Sequence, residues 1–242
     1  MKIGILATGT TSDLLLPTYG SYSDMFVALL KEQDSAFDCE VFDVRENIFP
    51  SSSDQCDAWL ITGSPSNVDE SLPWMLKLND FIRDADAKKQ PLIGICFGHQ
   101  IIADALGGEV ARFDGGWGVG IHRYQHIGED SAVPANVASF AICAMHQYQV
   151  TVKPERARVF AQSDFCENAG LLYDNHILTL QGHPEFSKAY EVALIESHKS
   201  NPVPADISEQ GLASVDKETL DSSDVMKWIT DFITAAHQVR TA

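Results

Sequence analysis

One stretch constrains this chain more than any other: Pro91-Leu92-Ile93-Gly94-Ile95-Cys96-Phe97-Gly98-His99-Gln100, followed by Ile101-Ile102-Ala103-Asp104-Ala105-Leu106. The apolar run at Leu92 has the length of a buried parallel strand, and the run from Ile101 continues as a helix. Cys96 therefore lies at a strand-to-helix turn, with Gly94 and Gly98 two residues to either side. Glycine carries no Cβ, so the backbone there can turn sharply, which is the geometry of a nucleophile elbow with sulfur in place of the serine oxygen. Such a turn lifts the thiol above the sheet and sets it at a helix N-terminus, whose partial positive charge favours thiolate over thiol.

The rest of the N-terminal half repeats the same punctuation. Ile3 to Ala7, Cys39 to Val44 and Ala58 to Ile61 read as strands. Between them Tyr22, Met25, Phe26, Leu29 and Leu30 recur at helical spacing, a stripe read as core packing. Leu72, Met75, Leu78, Phe81, Ile82 and Ala85 mark the apolar face of a helix that closes on Lys88 and Lys89. Strands alternating with helices predict a parallel sheet with crossover helices. On that topology the loop Thr62-Gly63-Ser64-Pro65-Ser66 and the Cys96 turn share one sheet edge, where open α/β folds bind ligands.

From Gly107 the segments shorten: Glu109 to Phe113, Val119 to His126, Val137 to Ile142, Ala157 to Gln162, Gly170 to Tyr173 and Ile177 to Leu180 read as strands. No linker or internal repeat separates them from the first half. The expectation is an α/β fold in a single domain over 1–242, with a mostly parallel central sheet flanked by helices and an antiparallel extension. Asn201 to Asp224, with Pro202, Pro204 and several acidic and serine residues, reads as an exposed loop or lid. Val225, Trp228, Ile229, Phe232 and Ile233 define a terminal amphipathic helix.

Composition narrows the classes of partner. Lys and Arg number 17 against 34 Asp and Glu, a net charge of -17 that repels phosphate backbones and anionic membranes, so nucleic acid and membrane partners are not expected. Met1 to Leu6 is too short for a signal sequence, and no apolar stretch approaches the roughly 20 residues of a membrane span. Five cysteines without a C-x-x-C pair suit a reducing compartment, and a cytoplasmic location is expected.

A cysteine nucleophile needs a base, and the base needs a group to orient it. Gln181-Gly182-His183-Pro184-Glu185-Phe186 follows the last predicted strand and supplies both. Pro184 disfavours helical geometry at His183, and residues two apart in an extended chain project to the same side, so Glu185 can reach the imidazole nitrogen that does not face the sulfur. The catalytic residues expected are thus Cys96, His183 and Glu185.

On these residues the chain resembles the class I (triad) glutamine amidotransferases. Gly94 to Gln100 matches the nucleophile motif, Gly182-His183-Pro184-Glu185 the base and its partner, and Thr62-Gly63-Ser64 the oxyanion loop. The resemblance covers nearly the whole chain and implies the family's flavodoxin-like three-layer fold. It implies Cys96 as nucleophile, His183 as general base and acid, Glu185 as orienter, and the backbone N–H groups of Gly63 and Phe97 as the oxyanion hole. Gln100, with the backbone of Gln147 and Tyr148 in Met145-His146-Gln147-Tyr148-Gln149-Val150, would hold the α-amino and α-carboxylate groups of a γ-glutamyl substrate. No cofactor or metal is implied.

The activity expected is cysteine-dependent hydrolysis of a γ-glutamyl amide through a γ-glutamyl thioester, read first as glutaminase activity of an amidotransferase. No P-loop or synthase domain accompanies it, so an ammonia acceptor would be a separate synthase. The alternative is a γ-glutamyl peptidase acting on glutathione-like conjugates or γ-glutamyl amines. It is suggested by the Gly63-Ser64-Pro65 loop and by Met145 and Tyr148, where synthase-associated members often carry Ser or Asp. A redox sensor on the same fold is a third reading, which His183-Pro184-Glu185 argues against. Asp114 to Gly120 is glycine-rich without dinucleotide spacing and reads as a turn near the pocket, with Trp117 as pocket wall or packing. His122 and His126 would share a strand face but lack a third metal ligand. His99 and His146 are rivals to His183 for the role of base.

Overall fold

The computed structural model describes residues 1–128, 133–134 and 136–242. The strands are β1 (Lys2–Ala7), β2 (Asp38–Asp43), β3 (Ala58–Ile61), β4 (Leu92–Ile95), β5 (Glu109–Arg112), β6 (Gly118–His126), β7 (Ser139–His146), β8 (Tyr148–Val152), β9 (Ala157–Gln162), β10 (Gly170–Tyr173) and β11 (Ile177–Leu180). The helices are α1 (Leu16–Tyr19), α2 (Tyr22–Gln33), α3 (Pro73–Ala87), α4 (Phe97–Ala105), α5 (Lys188–His198), α6 (Ala205–Lys217) and α7 (Ser222–Thr241).

The main sheet runs β2-β1-β3-β4-β11-β10-β9-β6-β7. Its first five strands pair in parallel and the remaining pairs are antiparallel. This is the α/β arrangement expected, a parallel core with an antiparallel extension. β5 and β8 pair as a separate two-stranded ribbon. The parallel strands β3 and β4 are buried along their whole length, which is why they read as continuous apolar runs without alternation.

Helices cover both faces. α2 and α7 pack Phe26, Leu30, Trp228, Ile229 and Ile233 against Ile3, Ile5, Leu60 and Ile93. On the opposite face α3 and α4 pack Met75, Leu78, Ile82, Ile101 and Ile102 against Trp59, Ile61 and Leu92. A third cluster joins α5 and α6 to the outer strands through Tyr190, Leu194, Ile195 and Val215, with Ile121 and Cys143 beneath.

The reading of Asn201 to Asp224 as an exposed loop or lid is corrected. Pro204 caps α6, whose buried residues are Ser208, Gly211 and Val215. Ser214 Oγ accepts the Ile121 amide proton at 2.8 Å and donates to the Gly211 carbonyl at 2.6 Å. A Cβ on Gly211 would sit 2.8 Å from Val119 Cγ1, so the helix approaches β6 closely because its contact residues are small. Among the described residues no helix is long and apolar enough to cross a membrane, and no group of three or more His, Cys, Asp or Glu side chains could hold a metal ion. The five cysteines are free.

Candidate active site

Cys96 caps α4 with φ 51° and ψ -102°, a positive φ that a non-glycine residue rarely adopts. The turn is held from three directions. The Cys96 amide donates to the Leu180 carbonyl at the end of β11 (2.8 Å), the Gly98 amide to the Thr62 carbonyl after β3 (3.2 Å), and the Gln100 amide to the Cys96 carbonyl (3.0 Å). Gly94 permits the packing of strand on helix, since a Cβ there would meet the Gly98 carbonyl oxygen at 2.6 Å. Backbone strain that the surroundings enforce in this way concentrates at functional sites.

The Gly63 loop lies against the same turn. Thr8 anchors it, its hydroxyl lying 2.8 Å from the Thr62 carbonyl oxygen and 3.1 Å from that of Gly63. A Cβ on Gly63 would approach His183 Cε1 to 2.9 Å and Cys96 Cβ to 3.7 Å. The residues Gly63, Cys96 and His183, from three separate loops, thus meet at the C-terminal edge of the parallel strands.

His183 follows β11 and is buried. Its amide donates to the Cys143 carbonyl on β7 at 2.8 Å, which extends the chain there. Nδ1 lies 2.7 Å from Glu185 Oε1. Burial alone would lower the His183 pKa; the charges of Glu185 and Cys96 outweigh it and hold the imidazole pKa well above the ordinary range. The other Glu185 oxygen, Oε2, finds no hydrogen-bond partner among the described residues.

The rival histidines have other surroundings. Burial pushes both His99 and His146 down to about 3, so both rings are neutral. His99 Nδ1 bonds Thr179 Oγ1 at 2.8 Å and ties α4 to β11, while His146 Nδ1 bonds the Tyr148 carbonyl at 3.2 Å. Neither has a carboxylate partner among the described residues. His122 packs edge-on against Phe165, and His126 Nδ1 lies 3.0 Å from the Val137 carbonyl oxygen.

Gln100, Gln147 and Tyr148 line one cavity together with Cys96 and His183. Gln100 Nε2 donates to the Tyr148 carbonyl at 2.7 Å and to Gln181 Oε1 at 3.1 Å. Gln181 Nε2 in turn reaches the Cys96 sulfur at 3.6 Å. Sequence reasoning gave Gln181 no part, although it stands beside His183 in the motif. It also missed Glu191 on α5, a buried carboxyl whose Oε1 accepts the Gly120 amide at 3.0 Å. Trp117 lines the cavity, as one of its two readings held.

A family model described as glutamine amidotransferase class-I matches residues 14–197. A gamma-glutamyl peptidase of Arabidopsis thaliana is 31% identical over 239 residues, 95% of this chain and 92% of the relative. A glutamine-hydrolysing GMP synthase subunit of Halobacterium salinarum is 25% identical over 183 residues, covering 75% of this chain and 92% of the relative. Among solved structures, a glutamine amidotransferase from Thermotoga maritima superimposes with a TM-score of 0.75 at 18% identity, covering 97% of each chain.

Proposed function

We propose that this chain, which belongs to the class I glutamine amidotransferase family, hydrolyses γ-glutamyl amides larger than glutamine through a thioester on Cys96. The observation that carries the hydrolytic chemistry is the joint placement of a strained Cys96 turn, a His183–Glu185 hydrogen bond of 2.7 Å and the Gly63 loop against both, and the similarity to a gamma-glutamyl peptidase favours an amide larger than glutamine.

Cys96 Sγ attacks the γ-carbonyl carbon as nucleophile, and the Gly63 and Phe97 N–H groups receive the oxyanion. The C–N bond breaks, and His183 delivers its proton to the departing nitrogen. Water then attacks the thioester while His183 takes its proton back, releasing the γ-carboxylate and restoring Cys96. Glu185 keeps the Nδ1 proton in place throughout. Gln100 Nε2 is already engaged by Tyr148 and Gln181, which leaves Oε1 to accept from the substrate α-ammonium, with the backbone of Gln147 and Tyr148 completing that end. The whole chain, 1–242, acts as one catalytic domain.

Glutamine hydrolysis for a separate synthase is a second reading, favoured by the similarity to the glutamine-hydrolysing GMP synthase of Halobacterium salinarum. Assay of the isolated protein with glutamine and a panel of γ-glutamyl amides separates the two, because a hydrolase turns over without a partner. Cys96→Ala and His183→Ala abolish turnover if the mechanism holds, and a γ-glutamyl mass increment appears on the Cys96 peptide of quenched wild type. Substantial cleavage by either variant would sink the mechanism.

A further inference from the structure

The cavity over Cys96 has a volume of about 340 Å³, within the range of about 300–1,000 Å³ that accommodates drug-sized ligands. Its walls differ in character. Gln100, Gln147 and Tyr148 stand with Ser64, Ser66 and Asn67 on the polar side. Beside the histidines His146, His183 and His198, an apolar group also lines it: Tyr22, Trp117, Met145, Phe186, Leu194 and Pro202. Five of these six belong to or pack against a single hydrophobic cluster with α5, so they form a continuous surface.

The position of that surface relative to His183 gives it a chemical meaning. The proton donor to a departing amine has to stand beside the nitrogen, so the leaving group occupies the His183 side of the cavity. Phe186 lies flat against the His183 ring, with centroids 4.0 Å apart, and Tyr22 packs on Phe186 with centroids 5.7 Å apart. The apolar wall therefore begins at the proton donor and runs outward along the path of the departing group.

Beyond His183 the wall is uncharged. Among the described residues that line the cavity there is no Lys, Arg, Asp or Glu. Lys188, at the start of α5, is spent on the Val215 carbonyl at 2.7 Å. His146 is neutral, and His198 at the mouth uses Nδ1 on the Leu194 carbonyl (3.0 Å) and Ser197 (2.9 Å). A carboxylate carried into this wall beyond His183 would lose water with no Lys or Arg among the described lining residues to pair with it, a cost that a group of the same size without a carboxylate does not meet. The chain's net charge of -17 adds long-range repulsion of anions.

We propose that the leaving group is an apolar amine, aryl or arylalkyl and without a carboxylate, so that γ-glutamyl amides of such amines are cleaved ahead of both glutamine and γ-glutamyl amino acids. The proposal rests on the γ-glutamyl hydrolase reading and narrows its substrate class. It separates this chain from a peptidase in the strict sense, whose leaving group is an amino acid or peptide.

The test compares γ-glutamylphenethylamide with γ-glutamylphenylalanine, a pair that differs only by the carboxylate, alongside γ-glutamylmethylamide and glutamine. All four substrates are assayed at the same pH. The expected result is a kcat/KM for the phenethylamide at least about tenfold above each of the others. Met145→Arg should narrow or reverse the preference over γ-glutamylphenylalanine, and Trp117→Ala should narrow the preference over the methylamide. Each preference is read as a ratio within one protein, so a general loss of activity cancels. Equal or faster turnover of γ-glutamylphenylalanine or glutamine by wild type would overturn the proposal while leaving the hydrolase reading intact. Turnover of none of the four, or turnover that survives Cys96→Ala, would remove the hydrolase reading and this proposal with it.

Discussion

The rings of His183 and Phe186 lie one over the other, with centroids 4.0 Å apart and planes within 5° of parallel. Glu185 fixes the imidazole at Nδ1 while Phe186 fixes its plane, so the direction of Nε2 is set by two independent contacts. Loss of one should loosen that direction without removing any reacting group. Phe186→Leu is predicted to lower kcat for γ-glutamylmethylamide by roughly 10- to 100-fold, the scale of a misplacement near 1 Å. Circular dichroism would establish that the variant is folded, and an unchanged kcat in a folded variant would refute the positioning role.

Gly63→Ala tests the space beside His183 Cε1. The added Cβ would lie 2.9 Å from His183 Cε1, on an imidazole already held by Glu185 at Nδ1 and by Phe186 against its plane. Gly63 does not occupy a positive-φ conformation, so alanine is compatible with the backbone there. The cost should fall on the site rather than on the fold: a thermal midpoint close to wild type, with activity reduced roughly 100-fold or more, comparable to loss of an oxyanion donor. Activity above a tenth of wild type would mean that the loop shifts freely and that Gly63 is not held against the site.

The extent to which the sequence disclosed this arrangement varies with the physics of each part. β3 and β4 lie in the middle of a parallel sheet, so they had to be unbroken apolar runs and were visible as such. Cys96, His183 and Glu185 come in two short motifs whose glycine and proline spacing constrains the backbone locally, which made them readable before any contact was known. α5 was not visible. Its buried residues are Tyr190, Glu191, Leu194 and Ile195, and a carboxyl among them breaks the apolar stripe, while Val192 is left 37% exposed. α6 was hidden for a related reason: Ser208, Gly211 and Ser214 stand among its packing residues Ile207, Leu212 and Val215, so small contact residues interrupt the apolar pattern. Gln181 shows a third limit. Its role comes from Gln100 and Cys96, which are 81 and 85 residues away in the chain, and an amide side chain carries no local mark of such a partner.

Glu185→Gln should separate charge from hydrogen bonding at the base. Burial lowers the His183 pKa, and Glu185 and Cys96 together raise it; a neutral glutamine removes the Glu185 share, so the His183 pKa must fall. The carboxamide can also donate to Nδ1 and stabilise the wrong tautomer. A kcat loss of roughly 10²- to 10⁴-fold is expected. Proton NMR of the imidazole should show the His183 titration midpoint displaced to lower pH than in wild type. A midpoint that stays put would show that Glu185 orients the ring without influencing its proton.

Glu191 makes a prediction about stability rather than turnover. Burial raises its pKa to about 8, opposed by His183 and the Gly120 amide and assisted by Glu185. Its Oε2 has no hydrogen-bond partner among the described residues. In the unfolded chain the carboxyl titrates near its ordinary value of about 4.3, so between there and about 8 the folded protein binds a proton that the unfolded chain has released. More protons bound in the folded state means that this group's contribution to stability is fully present below the unfolded pKa, declines as pH rises, and levels off above about 8. Glu191→Gln retains an oxygen for Gly120 and has no proton to lose. The advantage of the variant over wild type should therefore be small at about pH 5 and grow steadily to about pH 8, measured as urea midpoints with unchanged m-values. A difference between the two proteins that does not vary across that range would mean that Glu191 is not protonated in the folded state, and that its burial is compensated by partners other than Gly120.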